Sequence, residues 1–390
     1  MADVFYYVQH LLGIGHVRRS VAIANSLARH DMRVHFVGGG NPVPDLGLDS
    51  NIEFSQLPPI RARDGDFSDL VDEHDTPVDE KWWKSRRERL LSLWMQSQAP
   101  ILITESFPFA RYMMRHELIP LLEETRRQSF SRINICSVRD IPQPKRKSER
   151  AGQIIDILDR YYDRILVHGD RKIATLDETF PEVVSDCGNI AIEYTGYVDN
   201  NSSISESSVP ASDVLVSTGG GATGLPIYQA SIEAARSDTS RQWRLLIGPN
   251  VEDGVFSSLR ASAVENVIVE RNRHDFRAVL QAASVSVSQG GYNTTVDLLR
   301  TQVPAVLIPY AKGGEVEQAS RAEKFAAFGH AVVLDENELS STTLLEALDE
   351  ARQVYSDSAK PGSDTNAVDT LMIDGADQSA RLIRQWLHDL

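Results

Sequence analysis

The sequence predicts an α/β protein with two parallel-sheet domains, and three observations lead to this fold class. The chain has 390 residues, which exceeds one typical core and suits two domains of about 150–200 residues each. Short apolar runs rich in β-formers alternate with helix-like segments along most of the chain, a pattern typical of βα units. A Ser- and Asn-rich stretch at 199–212 interrupts the alternation and has the composition of a linker.

The first half begins with a strand at 4–8, a turn at 13–16 and a helix from Val17. A second strand at 33–37 ends in three glycines. The segment 61–80 is polar and acidic, and it predicts a long mobile loop. The remaining strand predictions in this half are 101–104, 133–138 and 164–167, and the helix predictions are 111–124 and 149–161.

After the linker, strands are predicted at 213–217, 243–247, 267–270, 285–288, 305–308 and 331–334. We therefore predict an N-terminal domain at 1–198, a linker at 199–212, a C-terminal domain at 213–375, and a final helix at 376–390 that could pack back on the first domain. Two Rossmann-like parallel sheets facing across a cleft are the expected architecture.

Composition excludes several classes of protein. Hydrophobic residues make up 42% of the chain and charged residues 24%, which is ordinary for a globular protein. The net charge of −15 argues against a general nucleic-acid binder. Two cysteines do not form a disulfide framework. The first residues lack a basic region, and no window approaches 18 apolar residues. A cytoplasmic protein is expected, with peripheral membrane contact left open.

A first glycine-rich loop follows the strand at 213–217 and contains Thr218, Gly219, Gly220 and Gly221. Glycines let the backbone approach a ligand, and the N–H groups at the start of the next helix favour an anion. The loop matches neither a dinucleotide fingerprint nor a Walker loop. A tight turn without a ligand is the alternative.

A second glycine loop, at 288–297, gives a stronger signal. Gly290 and Gly291 precede a helix predicted at 294–299, and Asn293 and Thr294 lie at its start. Backbone amides and hydroxyls there are suited to a diphosphate. Asp297 is expected on the first turn, where its carboxylate can accept hydrogen bonds from ribose hydroxyls. A simple helix cap explains the polar residues, but it leaves the glycine pair unexplained.

A third segment, 313–318, follows the strand at 305–308 and contains Glu315, Glu317 and Gln318. These side chains can bind sugar hydroxyls at a sheet edge. A solvated helix start explains them equally well.

The first strand leads into a loop with Gly15 and His16. A neutral imidazole can act as a general base, and Glu105, expected just past the strand at 101–104, could orient it. The alternatives are a capping histidine and an exposed loop acid. Gly15 is a candidate for a backbone contact with the ligand. Arg18, Arg19 and Arg139 are either phosphate-facing or solvated.

The stretch 81–94 contains three tryptophans among basic residues. It is either an acceptor lid, a patch touching an anionic membrane, or a helix whose tryptophans pack while its charges are solvated.

Two of these motifs resemble the glycosyltransferase family 28-like enzymes of GT-B fold. Residues 12–19 are similar to the N-terminal loop of a bacterial branch of predicted glycosyltransferases, and 290–294 with Asp297 are similar to its donor loop. The segment at 315–322 is similar to the next donor element. The lipid II-forming N-acetylglucosaminyltransferase is a related enzyme.

The resemblance implies a nucleotide diphosphosugar donor, commonly a UDP-sugar, bound by the C-terminal domain. Gly219, Gly220 and Gly221 would contact phosphate, Gly291 and Thr294 the diphosphate, Asp297 the ribose, and Glu317 with Gln318 the sugar. The nucleobase would contact backbone around His274 and Phe276. His16 would be the general base of an inverting, metal-independent transfer.

The acceptor is expected to be a small molecule or a lipid-linked one, and no cofactor is implied. Three features depart from the family pattern: Asp297, where Glu is usual, His10, where Asp is frequent, and the Ser-rich linker, which is unlike a tight interdomain hinge. The alternatives are a nucleotide-sugar hydrolase of the pseudaminic acid pathway type and a non-catalytic nucleotide-sugar-binding subunit.

Overall fold

The computed structural model describes residues 1–11, 15–63, 66–127, 132–142, 148–188, 190–199, 207–220, 222–310, 316–358 and 371–390. It divides into two compact units, Met1–Asn201 with Met372–Leu390, and Ser202–Leu371. Residues 200–206 of the expected linker, together with 12–14, 221 and 311–315 of the glycine motifs, lie outside the described part.

The strands of the first unit are β1 (Val4–Val8), β2 (Val34–Gly38), β3 (Glu53–Gln56), β4 (Arg61–Arg63), β5 (Asp66–Val71), β6 (Ile101–Glu105), β7 (Ile133–Arg139), β8 (Arg164–His168) and β9 (Ala191–Tyr194). Its helices are α1 (Gly15–Arg29), α2 (Glu80–Ser97), α3 (Arg115–Arg127), α4 (Ser148–Tyr161), α5 (Leu176–Thr179), α6 (Pro181–Asp186) and the final helix of the chain, α13 (Gly375–His388). A short 3-10 turn at Tyr112–Met114 precedes α3.

The strands of the second unit are β10 (Val214–Ser217), β11 (Trp243–Ile247), β12 (Val267–Arg271), β13 (Val285–Ser288), β14 (Ala305–Leu307) and β15 (Ala331–Val333). Its helices are α7 (Leu225–Ser237), α8 (Asp253–Ser262), α9 (Phe276–Gln281), α10 (Tyr292–Thr301), α11 (Glu317–Ala327) and α12 (Ser341–Ser358). Short 3-10 turns lie at Ala222–Gly224 and Glu336–Glu338.

Each unit is built around a parallel sheet. In the described residues, the first sheet has the order β3-β2-β1-β6-β7-β8-β9 and the second the order β12-β11-β10-β13-β14-β15. The central strands are buried apolar runs, as expected when helices cover both faces of a parallel sheet. The α/β class with two parallel-sheet units that the sequence predicted is confirmed by this architecture.

The described residues of the segment 61–80 form more regular structure than the sequence indicated. β4 and β5 pair in an antiparallel hairpin, and Asp79 caps α2 by accepting from the N–H of Trp82 at 2.7 Å. The loop prediction for the whole segment was therefore wrong. The two strands were missed because they are short and their residues are mostly polar, so the sequence shows no clear alternation of apolar and polar residues.

The final helix α13 packs on the first unit. Ala376, Ala380, Ile383 and Trp386 are buried in the same apolar cluster as residues of α1 and β1. Nε2 of His30, the residue that follows α1, lies 2.7 Å from Oδ1 of Asp377. The amphipathic pattern of this segment therefore serves to cover α1.

Candidate functional site

The strand order of the first sheet reverses between β1 and β6. Loops that leave the carboxyl ends of two such strands diverge, and a crevice opens between them. His16 is the second residue of α1, directly after the β1 loop, and Glu105 is the last residue of β6. Glu105 was expected just past this strand, and the structure places it inside the strand end, fully buried.

One carboxylate oxygen of Glu105 lies within hydrogen-bond distance of three polar side chains. Oε1 lies 2.9 Å from Nδ1 of His16 and accepts from the hydroxyl of Ser106 at 2.8 Å. Arg19 donates to the same oxygen. Arg19 is buried and Arg18 is exposed, so of these two neighbouring arginines only Arg18 is solvated.

The environment favours a charged Glu105 and a neutral His16. Burial raises the pKa of Glu105, but His16 and Arg19 outweigh it and hold that pKa well below its usual range. Burial lowers the pKa of His16 to about 4, against the opposing attraction of Glu105. A carboxylate can only accept hydrogen bonds, so the proton of the neutral imidazole lies on Nδ1 and Nε2 carries the basic lone pair.

Two residues at this edge were not singled out from the sequence. Ser106 and Arg111 follow β6 and have left-handed backbone conformations, with φ of 63° and 58°. Arg111 donates from Nε to the carbonyl oxygen of Gln9 at 3.1 Å, and Arg139 ends the adjacent strand β7. Ser106 and Arg111 could have been predicted from the sequence, because parallel strands end at one sheet edge and both residues lie within six residues of the end of β6.

The strand order of the second sheet reverses between β10 and β13. The two glycine loops predicted from the sequence leave the carboxyl ends of these two strands. Gln289, after β13, donates to the hydroxyl of Thr223, in the loop after β10, at 3.3 Å. The fold therefore brings the two loops together at one switch point.

The described residues of the first loop differ in exposure. Gly219, with φ of +69°, and Gly220 are exposed. Thr218 is buried and donates from Oγ1 and from its backbone N–H to the hydroxyl of Tyr228, at 3.0 and 3.2 Å. A Cβ on Gly224 would lie 2.1 Å from Oγ1 of Thr218. These hydrogen bonds to Tyr228 therefore fix Thr218 at the start of the loop, and the exposed part of the loop is the backbone of Gly219 and Gly220.

In the second loop, Gly291 is the N-cap of α10, and no side chain caps this helix end. The first N–H groups of a helix have no partner within it, and a helix start attracts anions. Asn293 is exposed and Thr294 is half-buried. The helix begins at Tyr292, two residues earlier than predicted.

That earlier start moves Asp297 to the second turn of α10, so its predicted place on the first turn was wrong. Asp297 is half-buried, and its Oδ1 accepts from Nε of Arg277 at 2.6 Å. Arg277 belongs to α9, which begins at Phe276. His274 is exposed and Phe276 is half-buried. Arg277 was not a sequence candidate, because nothing in its local pattern distinguishes it from a solvated residue.

The third segment predicted from the sequence, 313–318, is described only from Val316 onward, so Glu315 lies outside the described residues. Gln318 is half-buried, and its Oε1 accepts from the N–H of Tyr310 at 3.2 Å. Glu317 is buried and forms an ion pair with Arg321 at 2.8 Å. Glu317 and Gln318, which the family resemblance assigned together to the sugar, therefore differ in burial and in hydrogen-bond partners.

The aromatic and basic stretch at 81–94 forms most of α2. Trp83 and Trp94 are buried, and Arg86 is fully buried. Arg86 bonds Glu117 through Nε at 2.7 Å and Gln9 through NH2 at 2.7 Å. Of the three sequence interpretations, the packed helix fits this structure, although Arg86 is buried and paired rather than solvated.

Within the described ranges, no group of three or more His, Cys, Asp or Glu side chains is placed to hold a metal ion. No helix there has the length and apolar character needed to cross a membrane. Both cysteines are buried and unpaired with each other.

Residues 214–371 match the model of the glycosyltransferase family 28 C-terminal domain. The match lies within the second unit and covers most of it. Its glycine loops and α10 therefore lie inside the matched domain.

Curated relatives are UDP-N-acetylglucosamine–N-acetylmuramyl-(pentapeptide) pyrophosphoryl-undecaprenol N-acetylglucosamine transferases. The Nostoc punctiforme protein is 30% identical over 112 residues, which are 29% of this chain and 31% of that protein. The Bacillus subtilis protein is 29% identical over 134 residues, 34% of this chain and 37% of that protein. The chain thus spans about a third of the length of these relatives.

Solved structures match over both units. The glycotransferase of kitacinnamycin superposes with a TM-score of 0.66 at 16% identity, covering 100% of both chains. MurG of Acinetobacter baumannii superposes with a TM-score of 0.62 at 13% identity, covering 98% of this chain and 99% of that one. At such identities the likeness establishes the fold, which is GT-B.

Proposed function

We propose that this chain is an inverting glycosyltransferase that moves a sugar from a UDP-sugar to an acceptor hydroxyl or amine. The observation that carries the proposal is the 2.9 Å bond between His16 and Glu105 at the switch point of the first sheet, in a chain whose second unit matches the glycosyltransferase family 28 C-terminal domain. A carboxylate-oriented imidazole is the arrangement of a general base.

His16 performs the proton transfer in this proposal. Its Nε2 takes the proton of the acceptor O–H or N–H while the acceptor atom attacks the anomeric carbon. The bond from that carbon to the diphosphate oxygen breaks, and UDP leaves on the opposite face, which inverts the configuration. Glu105 stabilises the imidazolium that forms, because its charge lies beside Nδ1.

The second unit holds the donor. The exposed backbone of Gly219 and Gly220 and the N–H groups at the start of α10 bind the diphosphate, and they stabilise the charge that develops on it as UDP leaves. Asp297 accepts from the ribose hydroxyls, and Gln318 contacts the sugar. We propose that these amides make a divalent metal unnecessary.

The curated relatives are named for a UDP-N-acetylglucosamine donor and a lipid-linked acceptor. These names support UDP-N-acetylglucosamine as the first donor to test and justify both soluble and lipid-linked acceptors. The location we propose is the cytoplasm, with peripheral contact to the membrane if the acceptor is lipid-linked.

The test is an assay of the full chain with UDP-, GDP-, dTDP- and CDP-sugars, with and without a panel of acceptors. We expect UDP release that depends on an acceptor, a product of inverted configuration, and loss of release in His16→Gln. Arg18→Gln, on the exposed side of the same helix, is the matched control. Stoichiometric release of free sugar without acceptor would instead favour the hydrolase, and nucleotide-sugar binding without turnover would favour the binding subunit.

A further inference from the structure

The second glycine loop, at 288–297, is connected to α11 by the buried guanidinium of Arg321. Arg321 is fully buried. Its NH1 donates to the carbonyl oxygen of Gly290 at 2.8 Å, and its NH2 donates to Oε1 of Glu317 at 2.8 Å. The residue immediately before the N-cap of α10 is therefore fixed from the neighbouring helix.

Close packing strengthens this connection. A Cβ on Gly290 would lie 2.6 Å from the carbonyl oxygen of Gln318, so the first turn of α11 touches the loop directly. The ring of Tyr292, the first residue of α10, has its centroid 5.8 Å from Cζ of Arg321. Arg321 thus contacts both sides of the N-cap Gly291.

Charge compensation explains why Glu317 is buried here. A buried guanidinium without a partner is strongly unfavourable, and removing one member of a buried pair costs more than the pair contributes. Glu317 supplies the compensating charge from one turn earlier on the same helix, and its side chain is only 5% exposed. Its carboxylate is directed at Arg321, whereas the neighbouring Gln318 is half-buried.

We infer that Glu317 is a positioning residue for the diphosphate and not a contact of the sugar. Glu317 pairs with Arg321, and Arg321 donates to the carbonyl oxygen of Gly290. These contacts fix the loop that orients the first N–H groups of α10. This inference rests on the proposed function, since it requires that α10 bind the diphosphate of a nucleotide sugar.

The experiment measures the affinities of uridine, UDP and UDP-N-acetylglucosamine for the full chain by calorimetry, with uridine measured in competition with UDP. Glu317→Gln should weaken UDP and UDP-N-acetylglucosamine by the same factor, about tenfold, and leave uridine unchanged. The matched control is Glu323→Gln, the same chemical change at an exposed position of α11, which should alter none of the three.

Gln318→Ala gives the contrasting pattern, because it should weaken UDP-N-acetylglucosamine more than UDP. If Glu317→Gln does not fold, Arg321→Lys should reproduce its pattern, since a lysine keeps the charge but loses the fork that joins two acceptors. The inference is overturned if Glu317→Gln weakens only the sugar nucleotide, or if uridine weakens in parallel with UDP. Failure of the parent chain to bind UDP would overturn the proposed function itself, and this inference with it.

Discussion

Replacing Glu105 by Gln removes the charge beside the proposed base while keeping the shape of the side chain. At the 2.9 Å separation of Nδ1 and Oε1, an effective dielectric of about 20 gives an attraction of about 6 kcal/mol between imidazolium and carboxylate. If about half of this attraction is realised in the transition state, the barrier rises by about 3 kcal/mol. The rate of transfer should then fall by about 100- to 200-fold.

The assay is the initial rate of acceptor-dependent UDP release as a function of pH. Glu105 raises the pKa of His16 against the dominant effect of burial, so its removal should move the acid limb of kcat/KM to lower pH. UDP affinity should stay unchanged, because the proposed donor residues belong to the other unit. Ser106→Ala is the control, since it removes the 2.8 Å bond to the same oxygen but leaves the charge, and it should cost less than about tenfold.

An acid limb that moves to higher pH in Glu105→Gln, or a rate within threefold of the parent, would refute this reasoning. Either result would mean that the carboxylate neither orients nor stabilises the imidazole.

Three further predictions concern binding and stability. Asp297→Ala should weaken UDP by about tenfold and remove any preference for UDP over 2′-deoxy-UDP in calorimetry; an unchanged preference would contradict the ribose assignment. Glu117→Ala leaves the buried charge of Arg86 unpaired and should lower the free energy of unfolding in urea by about 3–5 kcal/mol; a loss under 1 kcal/mol would contradict it. Burial lowers the pKa of His16 to about 4 and of His168 to about 3, so both stay neutral in the folded chain. Since an unfolded histidine binds its proton below about pH 6.5, stability should be full above that pH and fall by about 2–3 kcal/mol per pH unit towards pH 4.5; a melting temperature that is constant from pH 7.5 to 4.5 would contradict this.

The sheet edges of both units were predictable because they depend on local patterns. Buried parallel strands read as apolar runs, and the residues that follow them lie at one edge. For this reason His16 and Glu105 could be paired from the sequence although 89 residues separate them. The order of the strands, and therefore the position of each switch point, required the structure.

The partners of charged side chains could not be predicted in the same way. The ion pairs of Asp297 with Arg277 and of Glu317 with Arg321 depend on how helices pack, and helical spacing alone does not distinguish a buried pair from a solvated one. Arg86 is similar, because a basic residue in a polar stretch reads as exposed until its buried acceptors are seen. The sequence therefore predicted where the candidate site lies, but it did not predict which of the charged side chains form ion pairs within the protein.

The central claim is that the helix start and glycine backbone of the second unit bind a diphosphate. Calorimetric titration of the full chain with UDP and with uridine, both in the presence of EDTA, tests it most directly. We expect UDP to bind one to one and at least about 100-fold more tightly than uridine, with no change when EDTA is replaced by a divalent metal. Equal affinity for UDP and uridine, or UDP binding that appears only with the metal, would contradict the account.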